Sequence, residues 1–252
     1  MIAIKQALAT GQSVIGSMVT ELRTPAIALI LAEAGLDYLL LDMEHGAHTL
    51  PEIADTLKLA RLRGIAPIVR IPDLAYHLVA NVLDAGAAGV MLPRVMRREQ
   101  VERLVAFSNY PPVGERGGYA GLGRDLYRPQ QLAGYAAAVN AETLVIIQIE
   151  HRDALDRLDE ILSVPGLDAV LIGPFDLAIS YGLATLDDPT LDAAIATIID
   201  ACQRHSVAPG IHVDSIDAAR RWRERGVQLL SCRSDLSFLR AGAAEVVGGL
   251  RG

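Results

Sequence analysis

Three ionisable side chains directly after an apolar run carry the first chemistry in this chain: Leu39-Leu40-Leu41 leads into Asp42-Met43-Glu44-His45. An imidazole titrates near neutrality and can take or give a proton, and Asp42, three residues earlier, is spaced to orient its ring. A solvated or packed loop histidine is the competing account, and Glu44 is a secondary candidate. Glu150 ends Gln148-Ile149-Glu150, and Asp176 closes Gly173-Pro174-Phe175-Asp176. Two such carboxylates can hold one hard divalent cation (magnesium, manganese or cobalt) while water and substrate oxygens fill the other positions. Alternatively, Glu150 pairs with Arg152 and Asp176 caps the helix after Gly173-Pro174. Arg70 ends Pro67-Ile68-Val69-Arg70, where a guanidinium is costly unless it meets an anion, either a bound carboxylate or enolate or a structural partner. Gln148 shares a strand face with Glu150 and can hydrogen-bond substrate or fix a ligand. Gly173 leaves backbone amides open to an anionic group.

These residues need elements that bring them to one place. Short runs rich in Val, Ile and Leu predict strands at Ser13–Val19, Asp37–Asp42, Ala66–Ile71, Gly89–Pro93, Thr143–Glu150, Asp168–Gly173, Val207–His212 and Val227–Cys232. Helical periodicity falls between them, at Thr24–Ala34, Pro51–Arg63, Leu74–Asp84, Arg97–Phe107, Leu191–His205 and Ser215–Arg225. Strict alternation implies parallel strands and right-handed crossovers. Eight such units in 252 residues predict one (β/α)8 TIM barrel, a single domain over 1–252, whose strand ends converge on one catalytic mouth. Gly35, Gly64, Gly86 and Gly226 are placed as helix C-caps, with Thr24 and Thr49 as N-capping candidates.

Composition narrows the partners. A formal net charge of −7 lacks the basic stripe that nucleic acid requires, despite Arg94, Arg97 and Arg98 lying together, so a small molecule is the expected ligand. No apolar run is long enough for a bilayer and the N-terminus lacks a signal-peptide layout, which predicts a cytoplasmic protein. Cys202 and Cys232 form no C-x-x-C pair and are read as core fillers. The glycine-rich stretch 108–128 breaks the rhythm and is expected at the mouth or across a subunit boundary, with a plain solvent loop as the alternative.

In this order, Asp42-Met43-Glu44-His45, Val69-Arg70-Ile71-Pro72, Leu83-Asp84-Ala85-Gly86-Ala87, Tyr110-Pro111-Pro112-Val113-Gly114-Glu115-Arg116-Gly117, Gln148-Ile149-Glu150 and Ile172-Gly173-Pro174-Phe175-Asp176-Leu177 resemble the HpcH/HpaI aldolases, metal-dependent class II pyruvate aldolases. The resemblance implies that Glu150 and Asp176 hold the metal, that Arg70 contacts the ketoacid and that His45 with Asp42 forms the acid/base dyad. It further implies that Gln148 lies in the pocket, with Gly173, Pro174 and Phe175 on the substrate side. Asp84 would reach a neighbouring subunit's site. Trimers or hexamers are implied too, with the last helix, about Ser234–Val247, packing on a neighbour. Met43, Phe175 and Arg233 depart from the family's usual residues around the aldehyde side.

The expected reaction is reversible cleavage of a 4-hydroxy-2-oxoacid into pyruvate, or hydroxypyruvate, and an aldehyde. Lys5 and Lys58, the only lysines, fall in helical segments, which disfavours an imine mechanism. The same enolate chemistry could serve oxaloacetate decarboxylation or acyl-CoA cleavage, although no basic CoA-binding stretch is evident. A non-catalytic ketoacid-binding protein is the alternative from another class.

Overall fold

The computed structural model describes residues 4–251. Eight parallel strands close into a barrel in sequence order: β1 Val14–Val19, β2 Tyr38–Asp42, β3 Ala66–Arg70, β4 Gly89–Leu92, β5 Leu144–Ile149, β6 Ala169–Ile172, β7 Ala208–Val213 and β8 Leu229–Ser234. The principal helices are α1 Ile4–Ala9, α2 Ala26–Glu33, α3 Leu50–Arg63, α4 Tyr76–Ala85, α5 Arg98–Ser108, α6 Tyr135–Glu142, α7 Leu158–Leu162, α8 Pro174–Tyr181, α9 Pro189–Arg204, α10 Ile216–Glu224 and α11 Asp235–Arg251. Two 3-10 turns, Gly123–Asp125 and Arg152–Arg157, sit in the connections.

Side chains alternate across each strand, so one strand feeds two cores. Leu39 and Leu41 face the helices in the outer layer, whereas Tyr38 and Leu40 fill the barrel interior with Ile68, Met91, Ile146 and Leu171. Continuing that alternation gives the strand-end chemistry its direction. Asp42 follows Tyr38 and Leu40 inward, Arg70 follows Ala66 and Ile68, and Gln148 follows Leu144 and Ile146. Ile4, Ala7 and Leu8 of α1 join the interior layer and close its lower end, a short helix that periodicity does not predict.

Helix ends set the loops. A capping box of Thr49 and Glu52 starts α3, and Gly64 ends it in the left-handed region at φ 87°, which favours a residue without Cβ. Thr24 does not cap α2, whose N-cap is Pro25. The stretch 108–128 follows α5 and precedes β5, so it lies where strands begin, at the end of its own barrel away from the mouth. The expectation of a place at this barrel's mouth is therefore corrected: the stretch follows a helix, not a strand. Among the described residues no helix is long and apolar enough to cross a membrane. Cys202 is fully buried and Cys232 half-buried, and both are free.

Candidate active site

Parallel register puts Asp42 directly beside Arg70, and their side chains meet in a buried ion pair. Arg70 Nε donates to Asp42 Oδ1 at 2.8 Å and Nη2 to Oδ2 at 2.6 Å. Asp42 also accepts the backbone N–H groups of Glu44 and His45 at 2.9 and 3.3 Å. Burial pushes the Asp42 carboxyl up, but the Arg70 hydrogen bonds and charge outweigh it and hold the carboxyl below the usual range. The ring-orienting role expected for Asp42 therefore takes another form here. Its carboxylate fixes the backbone at His45, while the imidazole is exposed at the lip with Nε2 3.9 Å from Glu44 Oε2.

The polar chain continues across the mouth. Arg70 Nη1 donates to Gln148 Oε1 at 3.3 Å, and Gln148 Nε2 donates to Glu150 Oε2. The Arg94 backbone N–H donates to Glu150 Oε1 at 2.7 Å, and the Arg94 guanidinium reaches Glu44 Oε1 at 3.0 Å. Arg94 adopts φ 55° directly after β4, which turns its amide toward Glu150 at the cost of left-handed backbone for a residue with Cβ. Burial pushes the Glu150 carboxyl up to about 7, assisted by the nearby Asp176 and Glu44 charges and only partly opposed by the Arg94 amide. Glu44 is also raised, first by burial, and its Oε2 has no hydrogen-bond partner among the described residues.

Glu150 does not pair with Arg152, which turns to Asp153. Asp176 occupies the first turn of α8 and is exposed, while Gly173 is the N-cap. A Cβ on Gly173 would lie 2.9 Å from Glu150 Oε2 and 2.8 Å from Gln148 Nε2, so glycine is what leaves these two side chains their space. Among the described residues no group of three or more His, Cys, Asp or Glu is arranged as a metal cage. Glu150, its carboxyl raised by burial and by the nearby Asp176 charge, and the exposed Asp176 fit a hard cation whose remaining positions go to substrate and water.

A cavity of about 430 Å³ opens over this network, lined by His45, Arg70, Gln148, Gly173, Pro174, Phe175, Asp176 and His212 among others. Asp84 is elsewhere: at the end of α4 it binds Arg116 at 2.5 Å, on the far side of its own barrel. The structure gives definite partners to two strand-end groups that the sequence leaves without a role. Arg94 bridges Glu44 and Glu150, and its position directly after β4 was the available signal. His212 lines the cavity with Nδ1 2.8 Å from Ser231 Oγ, and burial lowers its basicity. Its place at an inward position on β7 was visible in the strand alternation.

The profile of the HpcH/HpaI aldolase/citrate lyase family matches residues 18–241. The chain is 35% identical over 228 residues to a hydroxypyruvate/pyruvate aldolase of Chromohalobacter salexigens, covering 89% of each. It is 33% identical over 232 residues to a 2-keto-3-deoxy-L-rhamnonate aldolase of Escherichia coli, covering 92% of this chain and 86% of that one. The crystal structure of an HpcH/HpaI aldolase from Desulfitobacterium hafniense aligns with a TM-score of 0.93 at 35% identity, covering 98% of this chain and 96% of that one.

Proposed function

The chain belongs to the HpcH/HpaI aldolase/citrate lyase family and is a carbon–carbon lyase, and on that premise we propose that it reversibly cleaves a 4-hydroxy-2-oxoacid into pyruvate or hydroxypyruvate and an aldehyde. The observation that carries this reading is the joining of Arg70, Gln148 and Glu150 in one buried chain under a cavity that His45 also lines. The relatives are named for hydroxypyruvate, pyruvate and a 2-keto-3-deoxy sugar acid, which supports a 2-oxoacid here.

Glu150 and Asp176 are the residues that would hold a divalent cation, magnesium, manganese or cobalt, whose chemistry when bound is Lewis-acid polarisation of the substrate's oxygens. Arg70 spends two of its five N–H groups on Asp42 and one on Gln148. Of the other two, one on Nη1 lies toward Glu44 Oε2 at 3.3 Å, and the one on Nη2 is available to the carboxylate or enolate of the 2-oxoacid. In cleavage, His45 takes the proton of the C4 hydroxyl as the C3–C4 bond breaks. The bonding pair passes into the enolate and the aldehyde departs. Protonation at C3 then gives the 2-oxoacid. In the reverse direction the methyl proton of pyruvate is on the order of ten pK units less acidic than an imidazolium, so the site must offset roughly 14 kcal/mol. A single hydrogen bond, worth about 1 kcal/mol net, is far too weak for that. Charge on Arg70 and a bound cation are therefore required together.

The exposed surface of α11 supports an assembly. Beyond Ser237 every residue of this helix to Arg251 is exposed, including Leu239, Val246, Val247 and Leu250. Such an apolar surface on one helix calls for a cover, and we place it against a second copy of the chain in a trimer or hexamer. Two free cysteines suit a reducing, cytoplasmic location. Pyruvate release from a panel of 4-hydroxy-2-oxoacids, followed through lactate dehydrogenase with each metal and with chelator, tests the activity. Turnover that depends on metal and falls at least 100-fold in His45→Ala supports it; a folded, metal-supplied enzyme releasing no pyruvate from any of them contradicts it.

A further inference from the structure

A second cavity, of about 300 Å³, lies at the opposite end of the barrel from the mouth. Arg61 comes from the last turn of α3, Glu142 ends α6, and both helices finish where strands begin. Arg124 enters from the 3-10 turn Gly123–Asp125, and Arg128, Gln130 and Tyr135 complete the wall. Glycine is required at position 123, where a Cβ would stand 2.4 Å from the carbonyl oxygen of Ala85. The turn thus lies tight against the end of α4 and carries Arg124 inward.

The charges here are unbalanced. Arg124 Nη2 donates to Glu142 Oε2 at 2.9 Å, and Arg61 Nη2 approaches the same oxygen at only 4.0 Å. The two guanidinium side chains are 4% and 11% exposed, whereas Glu142 is 57% exposed. Arg124 Nη1 is buried with no partner among the described residues. Asp125, the other carboxylate in the wall, has its Oδ2 taken by the Gly121 amide and the Tyr135 hydroxyl. Burial lowers the basicity of both arginines, with added repulsion from Arg124 on Arg61 and from Arg116 on Arg124. Two largely desolvated guanidinium groups sharing one oxygen of a half-solvated carboxylate leave donor capacity that only an acceptor-rich anion would fill.

We propose that this cavity binds a small oxyanion, the phosphate or carboxylate group of a small molecule, held by Arg61 and Arg124 with Arg128 at its rim. The site is separate from the catalytic mouth, and its occupancy is independent of the aldolase reading. Glu142 acts as a placeholder, because it is the one carboxylate with freedom to swing out to solvent.

Titration calorimetry of the full-length protein with inorganic phosphate, and separately with malonate, against chloride at matched ionic strength, tests this. Binding of either probe to the wild type is expected, at least tenfold weaker in Arg61→Gln, a loss of about 1.4 kcal/mol, with pyruvate-forming activity unchanged. Glu142→Gln removes the competing carboxylate and is expected to bind the same probe more tightly. Circular dichroism verifies that both variants are folded, and Arg128→Ala, at the exposed rim, supplies a variant with little effect on packing. Several results would overturn the proposal. One is no binding of either probe to the wild type beyond chloride. Another is equal binding to wild type and Arg61→Gln, which would place the anion at the mouth. A third is loss of binding in Glu142→Gln, which would make Glu142 a permanent partner. A change of oligomeric state in Arg61→Gln without anion binding would assign the cavity to a second copy and also reject it.

Discussion

Asp42→Asn removes one charge and almost no volume, and the structure sets the size of its effect. Asp42 is completely buried and takes two hydrogen bonds from Arg70, at 2.8 and 2.6 Å, and two from backbone amides. Asparagine keeps one acceptor oxygen and turns an NH2 group toward a guanidinium that has only donors. The Arg70 charge, 6% exposed, is then left with Glu44 at 3.3 Å as its nearest countercharge. Breaking such a buried pair costs about 3–5 kcal/mol, a large share of a total stability of about 5–15 kcal/mol. Urea unfolding at pH 7, at one protein concentration, reads that loss as a lower midpoint with an unchanged slope. The Asp42 carboxyl is held below the usual range in the folded state. Its contribution is therefore present above the unfolded pKa of about 3.9 and is lost as pH falls through the folded value. The gap between wild type and Asp42→Asn should accordingly narrow in acid. Asp42→Asn combined with Arg70→Met should recover part of the loss, because no unpaired charge remains. A single variant within about 1 kcal/mol of wild type, or a double variant less stable than Asp42→Asn, would refute the reasoning.

Glu150 titrates the other way. With its carboxyl raised from 4.5 to about 7 by burial, the metal-free protein is most stable below pH 4.5 with respect to this group and loses on the order of 3 kcal/mol as pH rises through 7. Thermal unfolding in chelator should show that decline, and Glu150→Gln should flatten it. Gly173→Ala drives a methyl to within 3 Å of Gln148 Nε2 and Glu150 Oε2; we expect at least tenfold lower kcat with stability reduced by about 1–3 kcal/mol, measured by steady-state kinetics and urea unfolding. Leu239→Glu with Val246→Glu puts charge on the apolar surface of α11 and should lower the mass measured by light scattering, whereas an unchanged mass would move the subunit contact elsewhere.

The barrel was legible because each strand is a short apolar run and all but one of the connections between strands, the one from β5 to β6, carry helical periodicity. Inward alternation alone aims Asp42, Arg70, Gln148 and His212 at one interior. What spacing along the chain could not supply is register. Asp42 lies three residues from His45 in sequence, but pairing of β2 with β3 sets it against Arg70, and the ion pair outcompetes the ring. Residue type gives Arg94 no assigned role because its contribution to Glu150 is a backbone amide turned by positive φ, which the side chain does not announce. Counting from β4 puts the stretch 108–128 at the mouth or across a subunit boundary, whereas α5 intervenes and carries the chain away from the mouth of its own barrel. Helix α6 holds the run Ala136-Ala137-Ala138, three alike small residues that give it no marked periodic face.

Proton exchange at the methyl group of pyruvate, followed by NMR in deuterated buffer with magnesium, manganese or cobalt and again with chelator, tests most directly whether this site forms an enolate. The account predicts metal-dependent loss of the methyl signal in the wild type, abolished by chelator and reduced at least 100-fold in His45→Ala and Glu150→Gln. Folded wild-type protein that exchanges no methyl protons with any of the three metals would contradict it.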